Sequence, residues 1–129
     1  LDNRNAALRQ AVRATGKPVF VSDDGPSYYT ENDTLLYCPP GYPQARFALG
    51  RDLFTAKSFA ECGPYLGFSY HGRSIHPPLA AATLGAKLLE VHVQLDGPNE
   101  SVLERDISLY PGEVKELGDA VRRVETYLR

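Results

Sequence analysis

Leu66-Gly67-Phe68-Ser69-Tyr70-His71 and Leu88-Leu89-Glu90-Val91-His92-Val93 are two apolar runs that each carry a histidine at or near the end. The alanine-rich segment between them, punctuated by proline and glycine, is just long enough for one crossover helix. Side chains alternate along a strand, so Ser69 and His71 share one face and Glu90 and His92 share the equivalent face. If the two strands are parallel neighbours, both histidines emerge together at the carboxyl edge of the sheet. That edge is where parallel α/β folds build their sites.

The rest of the chain repeats the alternation. Asn3 to Thr15 places Ala7, Leu8, Ala11 and Val12 on one helical face, and Gly16 stands where a helix C-terminal glycine belongs. Val19 to Ser22 and Thr34 to Cys38 read as strands, with too few residues between them for a full crossover helix. Pro39-Pro40-Gly41-Tyr42-Pro43 predicts a rigid loop, because each proline fixes φ and removes a donor. A helix is expected over Arg46 to Ala60, a strand from Leu66 to His71, and a helix opened by Pro77-Pro78 and closed by Gly85. A fourth strand follows over Lys87 to Gln94, and then a polar loop from Asp96 to Asp106. Pro111 opens a last helix, with Val114, Leu117, Val121, Val124 and Leu128 in one apolar stripe. This order predicts an α/β fold with a parallel sheet of four strands and helices packed outside it.

At 129 residues the chain is one domain. Its net charge of −2, with basic residues interleaved among acids, argues against nucleic acid and anionic membrane as partners. No segment has the apolar length of a membrane span, and there is no secretory signal pattern. Cys38 and Cys62 lack any metal-type spacing, which predicts a reduced, cytoplasmic protein. A chain that begins at Leu1 and contains no methionine reads as a piece of a longer one.

Gly67-Phe68-Ser69-Tyr70-His71, and Leu84-Gly85-Ala86-Lys87 running on to Glu90-Val91-His92, resemble the seventh and eighth strands of the sialic acid synthase family, with its legionaminic and pseudaminic acid relatives. Gly16-Lys17-Pro18-Val19-Phe20-Val21-Ser22 is similar to that family's fifth strand, and Tyr37-Cys38 with Tyr42-Pro43 to its sixth. The resemblance implies a TIM (β/α)8 barrel, of which this chain covers the last four strand-helix units. The first four strands and a C-terminal antifreeze-like domain would lie outside it. It implies condensation of phosphoenolpyruvate with an N-acylated amino sugar, giving a nine-carbon keto sugar acid and phosphate. It also implies a divalent metal, Mn2+ or else Mg2+, on His71 and His92, substrate contacts from Ser22, Tyr42 and Ser69, and a catalytic role for Glu104. A half barrel would need its missing half or self-association, so a homo-oligomer is expected.

The chemistry of those roles is coherent. Two imidazoles leave open positions on a metal, so a sugar carbonyl can be polarised there, and Glu104 can orient a water. Against this stand Tyr70, Tyr37 and Pro40, where the family carries polar groups, and the shortened connection between the first two strands. They favour a second expectation, a barrel that kept its strands but lost its chemistry and serves as a binding or assembly module. A third is another metal-dependent barrel aldolase or lyase. Read without the resemblance, the two histidines are strand-end caps. Cys38 reads as a small core residue with no histidine base near it in sequence, Glu90 as a structural partner, and His76 as a solvated loop residue.

Overall fold

A computed structural model describes residues 5–23, 30–44, 59, 65–95, 97 and 102–128. Five strands form one sheet in sequence order, every neighbouring pair parallel. They are β1 (Val19–Asp23), β2 (Asp33–Tyr37), β3 (Gly67–Tyr70), β4 (Leu88–Val93) and β5 (Ser108–Leu109). Among the described residues three helices accompany them: α1 (Ala6–Arg13), α2 (His76–Leu84) and α3 (Pro111–Leu128). The expected parallel α/β arrangement is present, with one correction. The supposed polar loop before α3 contains β5, whose two residues are too few to show a period-two pattern. The expected helix over Arg46 to Ala60 and Cys62 fall outside the described residues, except for Phe59.

Local chemistry explains the helix limits. Asn5 caps α1, its side-chain oxygen accepting from the Leu8 backbone N–H at 3.0 Å, and Gly16 turns the chain at φ +67°. Pro77 and Pro78 occupy the first turn of α2, where a missing N–H costs nothing. Gly85, at φ +109°, ends that helix in the left-handed region. The Glu113 carboxylate reaches back to accept the Tyr110 N–H at 2.7 Å, half of a capping box at the start of α3.

Alternation along the strands divides the sheet into two faces. Phe68, Tyr70 and Ala81, with Phe59, form one core cluster against α2, and Val19, Val21 and Leu35 form a second that takes in Val12 of α1. Tyr37 packs on Tyr65 and Phe68 on this same side. The tyrosines at 37 and 70 therefore belong to the helix-covered core. They do not occupy the histidine-bearing face, so they remove no polar chemistry from it.

The other face carries Ser22, Leu36, Gly67, Ser69, Glu90 and His92, and it is concave. β1 and β4 lie three strand steps apart, about 14 Å in a flat sheet. Yet the Ser22 hydroxyl stands 3.4 Å from Glu90 Oε1. Side chains this short meet across two intervening strands only if the sheet curls around them.

α1 is tied to the sheet by charge. Arg13 Nε donates to Asp33 Oδ1 at 3.3 Å, Arg13 Nη2 pairs with Oδ2, and the Thr30 N–H donates to Oδ2 at 2.8 Å. Burial raises the Asp33 pKa, but the Arg13 and Thr30 hydrogen bonds and the Arg13 charge outweigh it, and the net shift is downward. A carboxyl with a depressed folded pKa stabilises fully above its unfolded value of 3.8, and that stabilisation is lost as pH falls through the folded value. Asp33→Asn should cost about 2 kcal/mol at pH 7. Urea titrations should show the gap from wild type closing below pH ~4.

Candidate active site

Parallel register stacks the concave face into rows. Leu36, Gly67 and Leu88 lie side by side, and one step toward the carboxyl edge Ser69 lies beside Glu90. Continuing the same register places Cys38 next to Ser69 and His71 next to His92. His92 pairs in turn with Ser108. The two histidine rings meet edge to face, centroids 4.8 Å apart with planes at 67°.

Each ring is held by a different device. His92 Nδ1 lies 2.6 Å from Glu104 Oε2. A carboxylate only accepts, so Nδ1 carries a proton toward it, and in the neutral ring Nε2 then holds the lone pair. His71 is buried, with its Nδ1 3.7 Å from Cys38 Sγ and 3.4 Å from Gln44 Nε2. Tyr42 stacks on His71 at 4.2 Å and presents its edge to His92 at 6.3 Å, while 65% of its own surface stays exposed. The tyrosine is a cover over the pair.

Burial, then the neighbouring His92, lowers the His71 pKa, and Glu90 and Glu104 offset part of this. Burial, then the nearby Cys38, Glu104 and Glu90, raises that of Tyr42. At neutral pH His71 is an uncharged imidazole and Tyr42 a neutral phenol. Neutral imidazole is the form that binds metals.

Ser69 is fully buried and donates to Glu90 Oε1 at 2.6 Å, and Ser22 donates to the same oxygen at 3.4 Å. Glu90, itself exposed, thus joins the two serines named from sequence. Gln94 and Ser108, on the strand ends beside His92, are buried with no partner for their side-chain polar atoms among the described residues. They leave polar capacity at the same edge. His76 is exposed, its Nδ1 3.0 Å from the Ser74 hydroxyl, and stands apart from these contacts.

The donor set fits a divalent first-row ion. The two imidazole rings lie side by side with centroids 4.8 Å apart, and both Nε2 atoms are without a hydrogen-bond partner among the described residues. Among those residues no group of three or more His, Cys, Asp or Glu is arranged around a single point. Imidazole favours first-row transition metals over magnesium.

Sequence reasoning missed Gln44 altogether and set Cys38 aside for want of a nearby histidine. The fold supplies that histidine. Neither contact has a local signal, because each joins segments about thirty residues apart, 27 for Gln44 and 33 for Cys38.

The NeuB family matches residues 27–129, most of the chain. The chain belongs to the NeuB family. Among curated relatives, this NeuB chain is 43% identical to the mouse N-acetylneuraminate-9-phosphate synthase over 140 aligned positions, covering 98% of the chain and 38% of the relative. It is 35% identical over 96 positions to the N,N'-diacetyllegionaminic acid synthase of Campylobacter jejuni, covering 74% of the chain and 28% of that enzyme. The spore coat polysaccharide biosynthesis protein SpsE of Bacillus subtilis is 33% identical over 98 positions, 74% of the chain and 26% of the relative. The NeuB chain therefore spans well under half the length of these relatives. No solved structure gives a significant match. No helix among the described residues is long and apolar enough to cross a membrane.

Proposed function

We propose that this NeuB chain forms the last four strand-helix units of a (β/α)8 barrel that condenses phosphoenolpyruvate with an N-acylated amino sugar to a nine-carbon keto sugar acid. The observation that carries this reading is the His71–His92 pair at the carboxyl edge of a sheet curled around Ser22, Ser69 and Glu90. The 3.4 Å approach of β1 to β4 side chains is curvature of the kind barrel closure needs. Two relatives, a synthase of N-acetylneuraminate-9-phosphate and one of N,N'-diacetyllegionaminic acid, support the reaction class.

In this proposal His71 and His92 would hold Mn2+, which when bound would supply Lewis acidity to the sugar's carbonyl oxygen. Glu104 acts through His92, fixing its ring and tautomer by the 2.6 Å contact. That is a positioning role, in place of the direct one implied by the resemblance. Ser69, fully buried, spends its proton on holding Glu90, while Ser22, only partly buried, gives its proton to the same carboxylate and so presents lone pairs toward a ligand. That orientation suits sugar hydroxyl or amide N–H donors and leaves phosphate to donors elsewhere in the protein. Tyr42, stacked on His71, sheds water from the histidine pair. Pro40, exposed in the turn after β2, stands where the resemblance implies a polar group, which favours the second reading, a barrel that binds without turning over.

The test is release of phosphate by the full-length protein from phosphoenolpyruvate, Mn2+ and N-acetylmannosamine or a related N-acylated amino sugar. Release that needs both the sugar and the metal is the expected result. No release with any sugar tried would leave the binding reading in its place.

A further inference from the structure

Cys38 continues the alternation of β2 onto the concave face, and its sulfur ends 3.7 Å from His71 Nδ1. The other neighbour of that nitrogen is fixed. Gln44 is buried and clamped to His71 at both ends: its backbone N–H donates to the His71 carbonyl at 2.7 Å, and its side-chain oxygen accepts the His71 N–H at 3.1 Å. Its amide nitrogen donates to the Pro39 carbonyl. These bonds assign the amide, because neither would survive its reversal. The group that Gln44 turns toward Nδ1, at 3.4 Å, and toward the Cys38 sulfur, at 4.0 Å, is therefore an NH2, a donor with nothing to accept a proton.

A neutral imidazole carries one proton. For His71 to offer Nε2 to a metal, that proton must lie on Nδ1 and find an acceptor there, as metal-bound histidines almost always do. Gln44 favours the opposite tautomer. Of the two contacts made by Nδ1, only the Cys38 sulfur can accept. His92 solves the same problem with the Glu104 carboxylate.

We propose that Cys38 is a positioning residue of the metal site: its sulfur accepts the Nδ1 proton of His71 against the opposing amide of Gln44, and so keeps Nε2 available to the ion. The inference rests on the proposed metal role of the histidine pair. It makes His71 the more easily lost of the two ligands, since a thiol is a weak acceptor and a carboxylate a strong one.

The experiment measures Mn2+ affinity from the electron paramagnetic resonance of free Mn2+, and the His71 tautomer from its ring nitrogen shifts in metal-free protein. Both use full-length wild type and the Cys38→Ala, Cys38→Val and Cys38→Ser variants. Alanine and valine, which cannot accept, should weaken Mn2+ binding about tenfold or more and move the His71 proton to Nε2. Serine, which can accept, should recover most of the affinity. Two acceptor-free variants keep the result readable if one fails to fold. Affinity within about twofold of wild type in the alanine or valine variant, or weakened binding with the tautomer unmoved, overturns the proposal. If wild type itself binds no Mn2+, the metal reading falls and takes this inference with it. If wild type binds and the variants match it, only the inference falls.

Discussion

His92→Ala, like His71→Ala, should lower metal-dependent phosphate release by the full-length protein at least about a hundredfold. Loss of a second-shell partner alone typically costs ten- to a hundredfold, and removing a ligand removes more. The two substitutions should differ in their structural side effects. His71 is buried under Tyr42, so its alanine variant leaves a cavity there, although Gln44 keeps its bonds to the residue-71 main chain and the Pro39 carbonyl. His92 is partly exposed, and its side-chain hydrogen bond goes to a half-exposed Glu104. His92→Ala should therefore keep near wild-type stability while losing turnover, and steady-state phosphate assays beside a urea titration will show whether it does. Turnover within tenfold of wild type in a folded His92→Ala protein would remove the metal role from this residue.

Gly67→Ala should be the most damaging single-methyl change to the fold. A Cβ at position 67 would stand 2.5 Å from Leu36 Cδ2, 2.5 Å from the Leu88 carbonyl oxygen and 2.8 Å from Leu88 Cβ. The leucine methyl can rotate aside, but the carbonyl belongs to the backbone of the next strand. Relief would require β3 and β4 to separate at the row directly beneath Ser69 and Glu90. Overpacking of this kind costs about 3 kcal/mol, read as a lower urea midpoint at unchanged slope. The same strand shift should loosen the Ser69–Glu90 hydrogen bond. A loss below ~0.5 kcal/mol would mean that the concave face is less tightly curled than described.

Much of this arrangement is legible from residues alone because it rests on local rules. Gly16, Gly85 and Pro111 end or begin helices for conformational reasons that any sequence window shows. Strand alternation alone places Ser69 with His71 and Glu90 with His92. Other features depend on the third dimension. β5 is too short to carry a period, and the curl that joins Ser22 to Glu90 belongs to the whole sheet. The same alternation turns Tyr37 and Tyr70 toward the helices, a consequence obscured when they are read only as departures from a family pattern. Cys38 and Gln44 acquire meaning only when the chain returns some thirty residues later with His71.

The proposed reaction requires that His71 and His92 together be the seat of a divalent ion. The most direct measurement is a Mn2+ titration of the full-length protein, following the histidine ring resonances by nuclear magnetic resonance. His76 serves as the internal control, since it is exposed and engaged with Ser74. The account predicts that substoichiometric Mn2+ broadens the His71 and His92 rings together and leaves His76 sharp. Broadening of His76 first, or of all three rings equally, would contradict it.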